Sequence, residues 1–288
     1  MKFTKMQGAG NDFVVVESND INQDWPQMAV SMCDRHFGIG GDGLLVLLPS
    51  DRADFQMREF NPDRSEAEAC GNGLRCLAKY ALHNSLVNTR AHQILVETAA
   101  GIRIVRISKA GSKITKIQVS MGEPIFSADN IPVALEAGKG KLVDIKSLLN
   151  YTITIVGREL SLNLISMGNP HAVCFEQYPV SDFPLSQIGP RVECHKIFPN
   201  RVNFEIVHVI NRKRIEARVW ERGVGETLAC GSGACAVAVA ARLHGYIDDN
   251  VAIELPGGIL SVEWDGTGDV SLDGPAEVLF TGEWPNEE

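Results

Sequence analysis

Residues 58–73, REFNPDRSEAEACGNG, align with residues 218–233, RVWERGVGETLACGSG, at a spacing of 160 residues. Six of the 16 aligned positions are identical, including the complete Ala-Cys-Gly-x-Gly pattern. The flanking segments repeat at nearly the same spacing, because Gly10-Asn11 corresponds to Gly168-Asn169. The sequence therefore predicts an internal duplication, with one supersecondary unit present twice.

Each copy shows the same order of predicted elements: apolar runs with β-branched residues, a Gly-rich turn, one apolar helix and further strands. The predicted helices, Leu74 to Leu86 and Ala234 to Gly245, are rich in Ala and Leu and carry few charges. Such helices belong inside their domains. We expect an α/β protein of two similar units, divided near the Gly- and Pro-containing stretch from Met121 to Gly140.

Composition excludes several function classes. The formal net charge is −9 over 288 residues, which disfavours binding to nucleic acid or to acidic lipid. The purest apolar stretch, Ala234 to Ala241, is too short to span a bilayer. The N-terminal residues offer no apolar signal core, and seven cysteines form an odd set, so we expect reduced thiols in the cytoplasm.

Cys70 and Cys230 lie just before the two predicted helices, with Asn72 and Ser232 as the expected helix caps. A helix N-terminus presents unpaired amide groups and a positive dipole end, which favour a carboxylate or a thiolate. We therefore expect lowered thiol pKa values at both positions. If the two copies face each other, the thiols approach one small ligand from opposite sides, which is the arrangement of a two-base racemase or epimerase without a cofactor.

Other interpretations of the cysteines remain. A lone cysteine is most often a small buried apolar residue, and this interpretation applies to Cys33, Cys76, Cys174, Cys194 and Cys235. A metal site would need closer ligand spacing than Cys70 to Cys76 or Cys230 to Cys235 provides. A redox switch, in which the two thiols oxidise to a disulfide, is a third hypothesis.

A dinucleotide-type glycine pattern occurs at residues 38–43, but its context is wrong for a nucleotide site. The predicted strand Leu44 to Leu48 follows the glycines, where the dinucleotide fold requires a helix. We predict a turn at this segment and no nucleotide.

Six motifs resemble the diaminopimelate epimerase family, in the family's order and spacing over nearly the whole chain. They are Gly10-Asn11-Asp12-Phe13, Phe60-Asn61-x-Asp63, Ala69-Cys70-Gly71-Asn72-Gly73, Ser166-Met167-Gly168-Asn169-Pro170-His171, Glu221-Arg222-Gly223-x-Gly225-Glu226-Thr227 and Ala229-Cys230-Gly231-Ser232-Gly233. The resemblance implies interconversion of LL- and meso-diaminopimelate in lysine and peptidoglycan-precursor biosynthesis, independent of pyridoxal phosphate, with no cofactor and no metal.

The resemblance also implies a fold of two pseudo-symmetric domains, each a curved, mostly antiparallel sheet wrapped around a central apolar helix. We place the domains at residues 1–128 and 129–275, with a C-terminal strand at about 276–288 joining the first domain. A homodimer is expected, with Phe280 as a dimer contact. The alternatives are a related two-cysteine racemase of another amino acid and, in a different class, a non-catalytic protein that binds metal or reacts through its thiols.

Site residues follow from the matching motif positions. The resemblance implies Cys70 and Cys230 as the catalytic pair, and His171 and Glu221 as groups that tune their pKa values. The implied contacts of the reacting amino-acid head are Gly71, Asn72, Gly231 and Ser232. The implied contacts of the distal head are Asn61, Asn169, Asn203 and Arg222 on its carboxylate and Glu221 on its ammonium, with Asn11 lining the same pocket.

Overall fold

A computed structural model describes residues 1–67, 70–88, 92–111, 113–134, 140–143 and 148–285. Ala69 of the first cysteine motif, part of the stretch from Met121 to Gly140 and the last three residues of the chain lie outside this set. Among the described residues, no helix is long and apolar enough to cross a membrane.

The chain divides into two compact units. Unit 1 comprises Met1–Ser120 and Asp273–Glu288, and unit 2 comprises Met121–Leu272. The division falls eight residues before the boundary predicted at residue 128, because Ile125 forms a β-bridge with Ser166 of unit 2. The C-terminal part of unit 1 begins at residue 273, against about 276 in the prediction, and the Asp273 side chain accepts the Ile117 N–H at 3.2 Å.

Unit 1 contains eight strands, a short two-residue strand and two helices in its described residues, and a further strand lies across its border with unit 2. The bounds are β1 (Lys2–Gly8), β2 (Asn11–Glu17), α1 (Trp25–Cys33), β3 (Gly43–Leu48), β4 (Phe55–Phe60), β5 (Glu66–Ala67), α2 (Gly71–His83), β6 (Gln93–Thr98), β7 (Gly101–Ala110) and β8 (Lys113–Ser120), with β18 (Ser271–Asp273) at its border and β19 (Glu277–Glu283) at the end. The glycine segment before β3 is a loop and a strand follows it, which confirms the predicted turn, whereas the absence of a nucleotide stays a prediction.

Unit 2 repeats this arrangement. Its elements are β9 (Gly140–Val143), β10 (Leu148–Ile155), β11 (Arg158–Ser166), β12 (Pro170–Glu176), a 3₁₀ turn (Val180–Asp182), α3 (Leu185–Glu193), β13 (Asn203–Asn211), β14 (Arg214–Glu221), β15 (Gly225–Thr227), α4 (Gly231–Leu243), β16 (Asn250–Leu255) and β17 (Gly258–Glu263).

Strand pairing shows the duplication directly. The order β19–β1–β2–β3–β4–β6–β7 in unit 1 matches β10–β11–β12–β13–β14–β16–β17 in unit 2. In both orders the third pair and the fifth pair are parallel and the others are antiparallel. The prediction of two similar, mostly antiparallel α/β units is confirmed.

The second helix of each unit is its central helix. α2 contacts β1, β2, β3, β4, β7 and β8, and α4 contacts β11, β12, β13, β16 and β17. Most residues of both helices are buried, as predicted for central helices. Each helix begins directly after one of the two repeated cysteines.

Candidate active site

Each repeated cysteine is itself the N-cap of its helix. Cys70 is extended (φ −124°, ψ 121°), and its Sγ accepts the Gly73 N–H at 3.5 Å. Cys230 has nearly the same conformation (φ −122°, ψ 117°) and accepts the Gly233 N–H at 3.4 Å. The predicted helix starts at Leu74 and Ala234 were three residues too late, because the sulfur fills the capping role expected of Asn72 and Ser232.

In unit 1, two of the predicted asparagines lie at Cys70. The thiol donates to Asn11 Oδ1 across 3.9 Å, and Asn72 Nδ2 donates to the same oxygen at 3.2 Å. Asn11 Nδ2 donates to Asp42 Oδ2 at 2.7 Å, which turns the amide so that its oxygen faces the thiol. Asp42 was missed by the sequence analysis, although it lies in the glycine segment that we predicted as a turn.

Arg75 supports this group from the second turn of α2. It is completely buried, and it donates to Asn72 Oδ1 at 2.6 Å and to the Gly71 carbonyl at 3.2 Å. A buried guanidinium fixes the Asn72 side chain and places a positive charge near Cys70. The signal for Arg75 in the sequence was its position as a charged residue at the start of an apolar helix.

Glu59 is a buried carboxyl in β4 that the sequence analysis also missed. Burial raises its pKa to about 7, and a hydrogen bond with Cys70 opposes this rise. Its Oε2 has no hydrogen-bond partner among the described residues. Period-two alternation could have revealed it, because Glu59 shares the buried side of the strand with Phe55 and Met57.

In unit 2, a chain of hydrogen bonds leads from a buried carboxyl to Cys230. Glu205 Oε1 lies 2.7 Å from His171 Nδ1, and His171 Nε2 lies 2.9 Å from Asn169 Oδ1. Asn169 Nδ2 donates to Ser232 Oγ at 3.3 Å, and that hydroxyl lies 3.5 Å from Cys230 Sγ. The structure thus joins Asn169, His171 and Ser232 to Cys230, and adds Glu205, which the sequence analysis missed.

The predicted direction of the thiol pKa shifts is wrong for both cysteines in this structure. For Cys70, burial and then the negative charge of Glu59 raise the pKa well above 9, against the amide hydrogen bonds of the helix end. For Cys230, burial followed by the charges of Glu221 and Glu205 raises the pKa in the same way. Desolvation outweighs the helix N-terminus here, so both groups are thiols at neutral pH.

The other predicted residues of unit 2 form a second group around Asn203. Asn203 Oδ1 accepts the Arg222 N–H at 2.9 Å, and its Nδ2 donates to the Pro170 carbonyl at 3.0 Å. The Arg222 side chain is exposed and donates to the Asn200 carbonyl at 3.3 Å. Asn203 therefore fixes the backbone that carries Arg222. Glu221 is half-buried and accepts a hydrogen bond from the Thr227 hydroxyl.

Two predicted residues of unit 1 lie apart from the hydrogen bonds at Cys70. Asn61 donates to Ser65 Oγ at 2.9 Å inside a turn. Phe280 is about half exposed on β19, where its ring packs edge-on against Phe3 with centroids 6.1 Å apart. Among the described residues, no three His, Cys, Asp or Glu side chains lie together in a way that could hold a metal ion. The absence of a cofactor and of a metal in the working protein stays a prediction.

Each cysteine thus combines a transferable proton with nearby backbone amides that can bind a carboxylate. The first N–H groups of α2 and α4 have no partner within the helix by geometry, and those of Gly73 and Gly233 donate to the cysteine sulfurs. The other first N–H groups suit the carboxylate of an amino acid whose α-proton is to be removed.

Comparisons with known proteins agree with the motifs. The sequence model of the family described as "Diaminopimelate epimerase" matches residues 3–127 and 163–279. The chain is 45% identical over 285 residues to a protein of that name from Acetivibrio thermocellus, covering 98% of each chain. It is 44% identical over 288 residues to one from Pelotomaculum thermopropionicum, covering 99% of each.

A solved structure shows the same fold at low sequence identity. The PhzF-family phenazine biosynthesis protein of Bacillus anthracis matches with a TM-score of 0.69 and 14% identity, over 99% of both chains. The fold of two similar α/β units is therefore shared well beyond the range of recognisable sequence similarity.

Proposed function

Because the chain belongs to the diaminopimelate epimerase family, we propose that it interconverts LL- and meso-diaminopimelate, as an isomerase of lysine and peptidoglycan-precursor biosynthesis. The observation that carries the chemical part of this proposal is the matched pair of N-cap cysteines, which share one backbone conformation and one hydrogen bond to a helix amide. No cofactor takes part in the proposed reaction.

The proposed reaction transfers two protons at one α-carbon. One cysteine, as thiolate, takes the α-proton, so a C–H bond breaks and an S–H bond forms. The other cysteine, as thiol, gives its proton to the opposite face of the carbon and becomes the thiolate. Cys70 and Cys230 are the two proton-transfer groups, and their roles exchange when the direction of the reaction reverses.

Binding of the substrate's reacting head falls to the two helix ends. The N–H groups of Gly71 and Asn72 in α2, and of Gly231 and Ser232 in α4, are the proposed donors for an α-carboxylate. Negative charge that develops on the carboxylate in the transition state is stabilised there. Asn72 and Ser232 are the proposed side-chain donors, and Asn72 Nδ2 donates to Asn11 Oδ1.

The distal head is assigned to the predicted polar set. Arg222, Asn61, Asn169 and Asn203 are proposed to bind its carboxylate, and Glu221 its ammonium, since a guanidinium matches a carboxylate and a carboxylate pairs with an ammonium. His171 and Glu221 are proposed to tune the thiol pKa values. The role of Glu221 is supported by its negative charge, which raises the Cys230 pKa. The role of His171 is supported by its hydrogen bond with Asn169.

We also propose that the protein is a cytoplasmic homodimer. All seven cysteines are thiols and not disulfides, which suits a reducing compartment. Three consecutive large apolar residues of β19, namely Val278, Leu279 and Phe280, are each between 42% and 51% exposed, which suits a protein contact. Phe280→Glu should give a folded monomer in sedimentation, whereas an unchanged mass would contradict this use of β19.

Alanine variants test the cysteine assignment with a matched control in each helix. Cys70→Ala and Cys230→Ala should each abolish conversion of LL- to meso-diaminopimelate in a chiral chromatography assay. Cys76→Ala and Cys235→Ala remove other cysteines of α2 and α4 and should leave clear activity. Activity in Cys70→Ala or Cys230→Ala would contradict the assignment, and faster racemisation of a single-headed amino acid would contradict the substrate.

A further inference from the structure

Both central helices begin directly over a buried carboxyl group. A Cβ added to Gly73 would lie 3.1 Å from Glu59 Oε2, and one added to Gly233 would lie 2.8 Å from Glu205 Oε1. These glycines are also the residues whose N–H groups the cysteine sulfurs accept. Each unit therefore holds a carboxyl within one helical turn of its cysteine. Glycine makes room for it, and at Gly73 also for Leu45 Cδ2 at 3.0 Å and Met57 Cε at 3.1 Å.

The two units place this carboxyl from different strands. In unit 1, Leu45 of β3 pairs with Glu59 of β4, and in unit 2, Glu205 of β13 pairs with Val219 of β14. At the spacing of 160 residues, Leu45 corresponds to Glu205 and Glu59 to Val219. The glutamate is on β4 in unit 1 and on β13, the equivalent of β3, in unit 2. Its carboxyl lies beside the start of the central helix in both units, which indicates that the carboxyl itself is required.

The partners of the two carboxyls differ. Glu205 is bonded to His171 of β12. His171 pairs with Asn203, and the equivalent pair in unit 1 is Phe13 of β2 with Gly43. Unit 1 therefore has phenylalanine where unit 2 has the histidine.

Glu59 pairs with Leu45 of β3 and with Ala67 of β5. Two thiols of α2 interact with it: a hydrogen bond with Cys70 lowers the Glu59 pKa, and the charge of Glu59 raises the Cys76 pKa. The charges of Arg75 and Lys79, on the same helix, lower the Cys76 pKa.

We propose that Glu59 is a positioning residue that shares a single proton with Cys70. The pair interconverts between Cys70 thiol with Glu59 carboxylate and Cys70 thiolate with Glu59 carboxylic acid. In this step the S–H bond breaks, an O–H bond forms on the carboxyl, and the total charge of the pair stays at −1. The thiolate can thus form inside the protein without releasing a proton to solvent. In unit 2, Oε1 of Glu205 is bonded to His171, and the proposed shared proton is confined to Cys70.

The inference predicts a distinctive pH profile for Cys70. Burial and the Cys70 hydrogen bond put the Glu59 pKa at about 7, so above this pH the pair keeps one proton and its thiolate fraction becomes constant. If position 59 carries no charge, Cys70 titrates alone, and its thiolate fraction rises tenfold per pH unit until its own, high pKa. The two profiles coincide below pH 7 and separate above it.

Alkylation of Cys70 by iodoacetamide tests this, measured by mass spectrometry of the peptide that carries it. The wild-type rate should level off near pH 7, and the Glu59→Gln rate should continue to rise, to about 100-fold above the wild type at pH 9. Glu205→Gln is the matched control and should leave the Cys70 plateau in place. Parallel profiles of the wild type and Glu59→Gln, or loss of the plateau in Glu205→Gln, would overturn the inference.

A second measurement serves if Glu59→Gln does not fold. The infrared C=O band of protonated carboxyls should decrease around pH 7 in the wild type, and Cys70→Ala should shift this decrease to higher pH, because the hydrogen bond that lowers the Glu59 pKa is lost. An unchanged midpoint in Cys70→Ala would contradict the shared proton. The inference rests on the proposed role of Cys70, but neither readout requires turnover, so failure of epimerase activity is detected separately.

Discussion

Replacement of Gly233 by alanine adds one methyl group where the structure leaves almost no space. The new Cβ would lie 2.8 Å from Glu205 Oε1, whereas ordinary contacts begin at 3.4 Å, so the carboxyl oxygen must move by about 0.6 Å. Glu205 is buried and lies 2.7 Å from His171 Nδ1, so this movement weakens a buried hydrogen bond. Overpacking costs about 1–3 kcal/mol and the weakened bond about 1 kcal/mol.

An opposing effect must be subtracted. Alanine is favoured over glycine within a helix by about 0.5–1 kcal/mol. We therefore expect Gly233→Ala to lower the free energy of unfolding by about 2 kcal/mol in urea titrations, and to reduce epimerase activity because Gly233 N–H bonds to Cys230.

A double-mutant cycle isolates the cause. In a Glu205→Ala background the carboxyl is absent, and the nearest atom to the new Cβ is Cys230 Cβ at 3.3 Å, so Gly233→Ala should cost clearly less free energy of unfolding than in the wild type. If alanine at position 233 costs the same free energy in both backgrounds, the close contact with Glu205 is not what requires glycine there.

Two further predictions concern unit 1. Burial raises the Glu59 pKa from 4.5 to about 7, so between pH 4.5 and pH 7 the folded protein holds a proton that the unfolded chain has released. The free energy of unfolding is therefore highest below pH 4.5 and decreases by about 3 kcal/mol as the pH rises to 7. Glu59→Gln should remove this part of the pH dependence in urea titrations, and an unchanged slope would contradict it. Arg75→Met removes the guanidinium that donates to Asn72 Oδ1 and to the Gly71 carbonyl, and it should lower the free energy of unfolding by about 3 kcal/mol. A decrease of less than about 1 kcal/mol would show that the protein does not need the guanidinium for stability.

The duplication and the central helices could be predicted because they depend on local patterns. Two copies of Ala-Cys-Gly-x-Gly before an apolar run indicate a helix start in any context, and the small side chains indicate a buried helix. The identity of the cap could not be read from the pattern, because thiols seldom cap helices and Asn72 and Ser232 are stronger capping types. Only the backbone conformation of Cys70 and Cys230 decides the matter.

Contacts between segments that are far apart in the chain could not be predicted from the sequence. Asn11 and Asp42 meet near Cys70 because β2 and β3 are neighbours, and the family motifs suggested only Asn11. The sign of the thiol pKa shifts was wrong for a related reason. A helix end acts locally and can be predicted, whereas desolvation and the charge of Glu59 depend on how the strands pack against the helix.

Isotope incorporation tests the two-thiol reaction most directly. LL-diaminopimelate is incubated with the protein in D₂O, and both stereoisomers are isolated after a small fraction of the reaction. With separate thiols removing and donating the proton, the meso product should carry one deuterium at an α-carbon, while the recovered LL substrate should remain unlabelled. Deuterium appearing equally fast in the recovered substrate, or product without deuterium, would contradict proton transfer by two thiols.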